Sequence, residues 1–204
     1  MTIPANETEL FAALPEVDFD AQRRLHDRLA AAAHEAGILD VAYRTVDTPL
    51  GALLLAATER GLVRVAYSRE DHDLVLNQLA NRISPRVLRA PARLDVAARE
   101  IEEYFTGRRH VFDLPLDFQL AGGFRRVVLG HLPDIAYGTT ASYSALALAA
   151  GNPKAVRAVG TACATNPLPV VVPCHRVVRS DGTIGKYIGG TEAKKSLLAL
   201  ESTA

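Results

Sequence analysis

The stretch VVVPCHRVV, Val170 to Val178, sets a thiol, an imidazole and a guanidinium side by side in an otherwise apolar run. A buried strand normally excludes His and Arg, and a surface loop is not normally flanked by five Val. A thiol reacts as the thiolate, so Cys174 needs a base or a positive environment. His175 and Arg176 are its immediate neighbours. In extended backbone, adjacent side chains point to opposite faces. Cys174 and His175 therefore meet only if the chain turns after Pro173 or a water bridges them. Pro173 suits a bend because it has no ladder donor. The bland alternative is a small buried thiol beside a satisfied core histidine. Three features favour chemistry. Asn166-Pro167 offers a side-chain amide at the base of the run. Gly182, Gly185, Gly189 and Gly190 give backbone that a ligand can approach closely. The pattern EAKKSLLALE then predicts a helix that returns Glu201 as a carboxylate partner for His175.

The elements that must position these residues fall into two parts. Residues 18–37 read as a helix capped by Asp18 or Asp20 and stopped by Gly37, with Leu25, Leu29 and Ala32 as its apolar stripe. VAYRTVDTPLGALLLAATERGLVRVAY alternates and is rich in β-branched residues. It predicts a meander of three strands near 41–46, 50–57 and 61–67. A helix near 71–83, a broken segment with Pro85 and Pro91, and a helix from Leu94 to Phe105 follow. DLPLDFQLAGG reads as a linker. Beyond it the chain is mainly helical. Residues 124–133 form one helix, Ser142 starts another, and Pro153 opens a third, PKAVRAVGTACA. Helix, short turn with Gly, helix is the outline of a helix-turn-helix, with Lys154 and Arg157 near the start of its second helix.

The chain of 204 residues is 49% hydrophobic, enough for a core in one large or two small domains. No apolar run approaches a membrane span of roughly 18 residues, and MTIPANETELF lacks the features of a signal peptide. A cytoplasmic protein with no membrane partner is expected. Two cysteines, Cys163 and Cys174, are too few for a disulfide framework or a Cys-rich zinc site. No Cys precedes position 163, and His26, His34, His72 and His110 lack tight ligand spacing, so no metal site is expected. Net charge is zero. Residues 124–204 nevertheless hold nine Lys+Arg against four Asp+Glu, and residues 1–123 hold 14 against 19. That asymmetry fits an anionic partner for the second half, and it also fits compositional scatter.

Residues 134–201 resemble the O6-alkylguanine-DNA alkyltransferases, also called methylated-DNA–protein-cysteine methyltransferases. The segments that carry the resemblance are YGTTASYSALA, GNPKAVRAVG, NPLPVVVPCHRVV and DGTIGKYIGG followed by KKSLLALE, in the family's order and spacing. The resemblance implies an α/β protein in two parts. The N-terminal part would be a small antiparallel sheet with helices, ribonuclease H-like, over residues 41–113. The C-terminal part would be mostly helical and winged-helix-like over 124–204, with 114–123 as linker and 1–40 as a helical extension. It implies irreversible, single-turnover transfer of an alkyl group from O6-alkylguanine, and O4-alkylthymine, in duplex DNA to Cys174. No cofactor is needed, and the protein is expected to act as a monomer.

By the same resemblance His175 would act as base through a bridging water, and Glu201 would orient His175. Asn166 would brace the turn beside the thiol, and Arg176 would be mainly structural. The target base is stacked in the duplex and must be flipped out. Arg157 would fill the gap, and Tyr143 would donate to guanine N3. Ala158, Thr161 and Ala162 would lie along the groove. Val177, Tyr187 and Ile188 would line the substrate pocket. The sequence departs from the family pattern at Val128, in a chain with no Trp, and at Ala136, Ala164, Lys186 and Ile188. Ala164 stands where some relatives carry a basic residue, which would reduce phosphate contact there. Three other readings compete. A non-catalytic alkyltransferase-like damage binder would have lost the acceptor Cys. A Cys-His hydrolase would need an oxyanion hole, and none is evident. An alkylation-sensing regulator would need a metal-binding Cys cluster.

Overall fold

The computed structural model describes residues 18–202. Helix α1 (Phe19–Glu35) starts at Asp18, whose carboxylate accepts from the backbone N–H of Asp20 and Ala21. The helix docks on its Ala33 face, and Leu25 and Leu29 are exposed. The expected stripe is therefore the solvent face. The docked face carries small side chains, with Ala33 buried and Ala30 half-buried against the core, which lets the helix approach closely. The part of the predicted extension before Asp18 lies outside the described residues.

Strands β1 (Val41–Val46), β2 (Leu53–Thr58) and β3 (Gly61–Tyr67) form the predicted antiparallel meander. Every residue of β2 and β3 is buried, so these strands read as apolar runs more than as alternation. Helix α2 (His72–Arg82) follows, capped by Asp71. The segment broken by Pro85 and Pro91 supplies a further strand, β4 (Val87–Arg89), parallel to β1. The sheet is thus mixed, in the order β3-β2-β1-β4. A three-residue strand between two prolines carries too little periodicity to be read in advance. Helix α3 (Asp95–Phe105) buries Ala97, Glu100, Ile101 and Tyr104 on one face. The segment predicted as a linker is tied to the sheet edge. Leu62 N donates to the Pro115 carbonyl at 2.8 Å, and Asp117 N donates to the Leu62 carbonyl at 2.9 Å.

The second half is helical. Helix α4 (Gly123–Gly130) packs on α6, and a 3₁₀ turn over Leu132–Asp134 ends that region. Strand β5 (Ala141–Ser142) leads into α5 (Tyr143–Ala149), with Ser142 as N-cap. Helix α6 (Val156–Ala164) begins three residues after Pro153, which sits in the preceding turn and not at the first helical position. Strand β6 (Val177–Val178) pairs parallel with β5, and α7 (Thr191–Ser202) closes the chain. The large core cluster draws on both halves, from Leu53 and Tyr104 to Cys174 and Leu197. No described helix is long and apolar enough to cross a membrane.

Candidate active site at Cys174

Helix α6 ends at Ala164, and Asn166-Pro167 turns the chain into the apolar run. The Pro167 carbonyl accepts from Val65 N at 2.8 Å and from Arg64 Nη1 at 3.2 Å, which anchors this loop to β3. Val170–Val172 forms a turn and bend and is not extended. Val170 takes φ 72°, in the left-handed region. For a β-branched residue this stores about 1–3 kcal/mol of strain, which the fully buried surroundings must hold. Cys174, His175 and Arg176 form a 3₁₀ turn, and extended backbone resumes at Val177. The chain therefore does turn after Pro173, as one of the two sequence alternatives required.

Cys174 is 1% exposed. The amide of Asn166 donates to its sulfur at 3.2 Å and to the Val172 carbonyl at 2.8 Å, while Asn166 Oδ1 accepts from Leu168 N at 2.9 Å. One side chain thus pins both the loop and the thiol. Burial pushes the Cys174 thiol up to about 11, and the Asn166 amide and the Lys194 ammonium pull against it. Lys194 is itself completely buried, with Nζ donating to the Val177 carbonyl at 2.5 Å and lying 5.9 Å from the centre of the Tyr143 ring. Burial lowers its pKa, and the neighbouring thiols act in the opposite direction.

Glu201 gathers the polar groups behind the thiol. Its Oε1 accepts from Tyr104 Oη at 2.7 Å, His175 Nε2 at 2.8 Å and Arg176 Nη2 at 3.0 Å, and its Oε2 accepts from Arg176 Nε at 2.8 Å. Burial works against the carboxylate, but the bonds from His175, Arg176 and Tyr104 outweigh it and hold the pKa at about 2. Burial likewise lowers the His175 pKa, against the pull of Glu201, so the imidazole is neutral at pH 7. An ionised carboxylate only accepts, so the His175 proton sits on Nε2. Nδ1 is then a lone-pair acceptor, and no described group is bonded to it. Arg176 also donates to the Ile135 carbonyl at 2.6 Å and lies 5.6 Å over the Tyr137 ring, contacts that lock it in place.

Tyr143 opens α5 and stands against Gly185: a Cβ added there would fall 2.2 Å from its hydroxyl. Burial, then the charges of Cys163 and Cys174, push the Tyr143 hydroxyl up to about 12. Tyr187 is buried, with its hydroxyl 3.0 Å from that of Tyr67 on β3. Val177 is buried in β6, and Ile188 is half-buried at the wall of a neighbouring cavity. Arg157, Ala158 and Thr161 are exposed on α6. Ala162 is 1% exposed and faces the core beside Val159 and Cys163, so it packs the helix and cannot touch a groove.

Sequence reasoning missed Tyr104, Tyr67 and Lys194. Lys194, Leu197 and Glu201 recur at helical spacing and are all buried. That register was readable: a lysine on the stripe that carries Glu201 belongs to the site.

Comparison with known proteins places these residues in a family. The family model described as 6-O-methylguanine DNA methyltransferase, ribonuclease-like domain, matches residues 41–118, and the one described as the DNA binding domain matches residues 123–203. The constitutive methylated-DNA–protein-cysteine methyltransferase of Bacillus subtilis is 40% identical over 164 residues, covering 78% of this chain and 94% of the relative. The mouse protein of the same description is 39% identical over 168 residues, 76% of this chain and 78% of the relative. The crystal structure of Mycobacterium tuberculosis OGT in complex with DNA matches with TM-score 0.70 at 34% identity, over 79% of this chain and 93% of that one.

Proposed function

The chain belongs to the 6-O-methylguanine DNA methyltransferase family, and from that premise we propose that it is a DNA-repair methyltransferase with Cys174 as the alkyl acceptor. Its substrate is duplex DNA carrying O6-alkylguanine. The lesion is flipped from the minor groove, with Arg157 filling the gap and Ala158 and Thr161 along the groove. Sγ of Cys174 attacks the alkyl carbon in line. An S–C bond forms, the C–O6 bond breaks, and its electron pair passes to the guanine. The thiol proton goes through water to His175 Nδ1, the guanine takes one proton at N3 from the Tyr143 hydroxyl, and the proton held at His175 returns to Tyr143 through solvent. The net exchange is alkyl for hydrogen. The thioether is stable, so each molecule acts once, as a monomer and without a cofactor. A reducing cytoplasm suits a protein whose acceptor must remain a thiol.

The observation that carries this reading is the fully buried thiol. It is fixed by Asn166, next to a neutral imidazole whose tautomer Glu201 sets. A damage binder without chemistry would have no use for it. Mass spectrometry after incubation with O6-methylguanine duplex is the test. One methyl group on Cys174, and none on Cys174→Ser, is expected. More than one turnover per molecule, or no transfer, refutes the reading.

A further inference from the structure

A solvent-facing cavity of about 220 Å³ lies between the two halves, beside the end of α6. Its wall includes Arg82 of α2, Arg125 of α4, Thr165, Ile188, Gln78 and Arg64, and no Asp or Glu. Arg64 is neutralised by its ion pair with Glu70. Arg82 and Arg125 have no carboxylate within 4.0 Å among the described residues. Each donates instead to the same backbone carbonyl, that of Leu120, and Arg125 Nη1 also reaches the Thr165 hydroxyl at 3.4 Å. One carbonyl thus gathers two positive side chains from different halves at one wall, leaving their remaining N–H groups for an acceptor. A guanidinium has five donors in a planar fork, which pairs bidentately with an anionic oxygen pair such as that of a phosphate.

Position along the helix relates this cavity to the groove. Thr165 lies eight residues after Arg157, about 12 Å along a helix axis. The minor groove is only about 6 Å wide. With Arg157, Ala158 and Thr161 in the groove, the far end of α6 meets the sugar–phosphate backbone where the helix leaves the groove. Ala164, at that end, provides no charge of its own.

We propose that Arg82 and Arg125 clamp a phosphodiester of the bound DNA in this cavity. The inference rests on the repair reading above and extends it. It makes the N-terminal half part of the DNA-binding surface and puts the charge absent from position 164 on α4 and α2.

The test is duplex binding by fluorescence anisotropy at several salt concentrations, using O6-methylguanine duplex and its undamaged counterpart. Arg82→Gln with Arg125→Gln is expected to make the slope of log affinity against log salt shallower by roughly 0.9 for each phosphate left without its cation. Affinity should fall by the same factor for both duplexes, because a phosphate contact carries no base information. Arg82→Glu, at an exposed position, should weaken binding further at low salt. The loss should be confined to duplex, because free O6-benzylguanine has no phosphate to lose. Unchanged slope and affinity in both variants would overturn the proposal. So would a parallel loss of transfer from O6-benzylguanine, which would mean that the arginines merely shape the active site. Absence of transfer in the unmodified protein would refute the repair reading instead, and the salt slope would still decide the cavity.

Discussion

Replacing Glu201 by Gln keeps the side chain's shape and removes only its charge. The carboxylate collects four bonds of 2.7–3.0 Å from Tyr104, His175 and Arg176, all three of them buried. A Gln oxygen can still serve Tyr104 and His175, but its NH₂ group then faces the Arg176 Nε–H, donor against donor. Breaking one side of a buried ion pair costs about 3–5 kcal/mol. The titration of Glu201 gives an independent figure. Its native pKa is about 2 against an ordinary 4.5, worth roughly 3 kcal/mol at neutral pH. The sign follows from the depressed pKa. This stability is fully present above pH 4.5 and is lost as pH falls toward about 2. Urea unfolding of both proteins across that range is the assay. At pH 7 the variant should be less stable by about 3 kcal/mol, and the gap should narrow steadily below pH 4.5. Single-turnover transfer by the folded variant should also slow, since His175 loses the negative charge that supports its imidazolium when it takes the thiol proton. A stability loss under about 1 kcal/mol, or a gap that does not close in acid, would refute the central role given to this carboxylate.

Other substitutions probe the same site from different sides. Asn166→Ala removes the donor 3.2 Å from the sulfur and leaves the buried Leu168 N–H without its acceptor. The thiol pKa should rise, seen as slower iodoacetamide alkylation at fixed pH, with a stability loss of about 1–3 kcal/mol. Lys194→Met removes a buried positive charge that lowers the thiol pKa, so it should also slow alkylation, with no loss of duplex affinity by anisotropy. Gly185→Ala drives a methyl group against the Tyr143 hydroxyl at 2.2 Å. It should impair transfer from both duplex and free O6-benzylguanine, whereas Arg157→Ala should impair duplex repair far more than free-base transfer.

The meander, the helices and the His175–Glu201 pairing were legible because each rests on local signals: period, caps, and a carboxylate on a helix near a Cys-His pair. Strand β4 was not legible. Its three residues pair with β1 across more than forty positions, and nothing local distinguishes them from loop. The stripe of α1 misled for a related reason. Leu25 and Leu29 satisfy helical spacing, but the partner surface accepts a face that includes the small Ala33. Spacing defines a face and does not say which face is buried. Ala162 shows the limit of helix geometry on its own: it is adjacent to exposed Thr161, and one residue's rotation takes it from groove to core.

Tyr104 and Tyr67 were illegible for a deeper reason. Each occupies an apolar position of its own element, and packing alone would explain it. Their hydroxyls become meaningful only when the two halves meet, Tyr104 on Glu201 and Tyr67 on Tyr187. The ribonuclease-like half therefore supplies a donor to the carboxylate that governs His175, and it braces the loop that carries Gly185 and Ile188. Gly189 approaches the Tyr67 ring so closely that a Cβ would stand 2.6 Å from it, so the loop's path follows the β3 surface. Asn166, meanwhile, holds the thiol from a loop whose Pro167 is anchored to the same strand. The C-terminal half holds every atom that would react, yet the positions of those atoms depend on β3 and α3. Separating the halves would leave the Glu201 carboxylate short of a donor and the Asn166 loop without its anchor, so the site is a property of the interface.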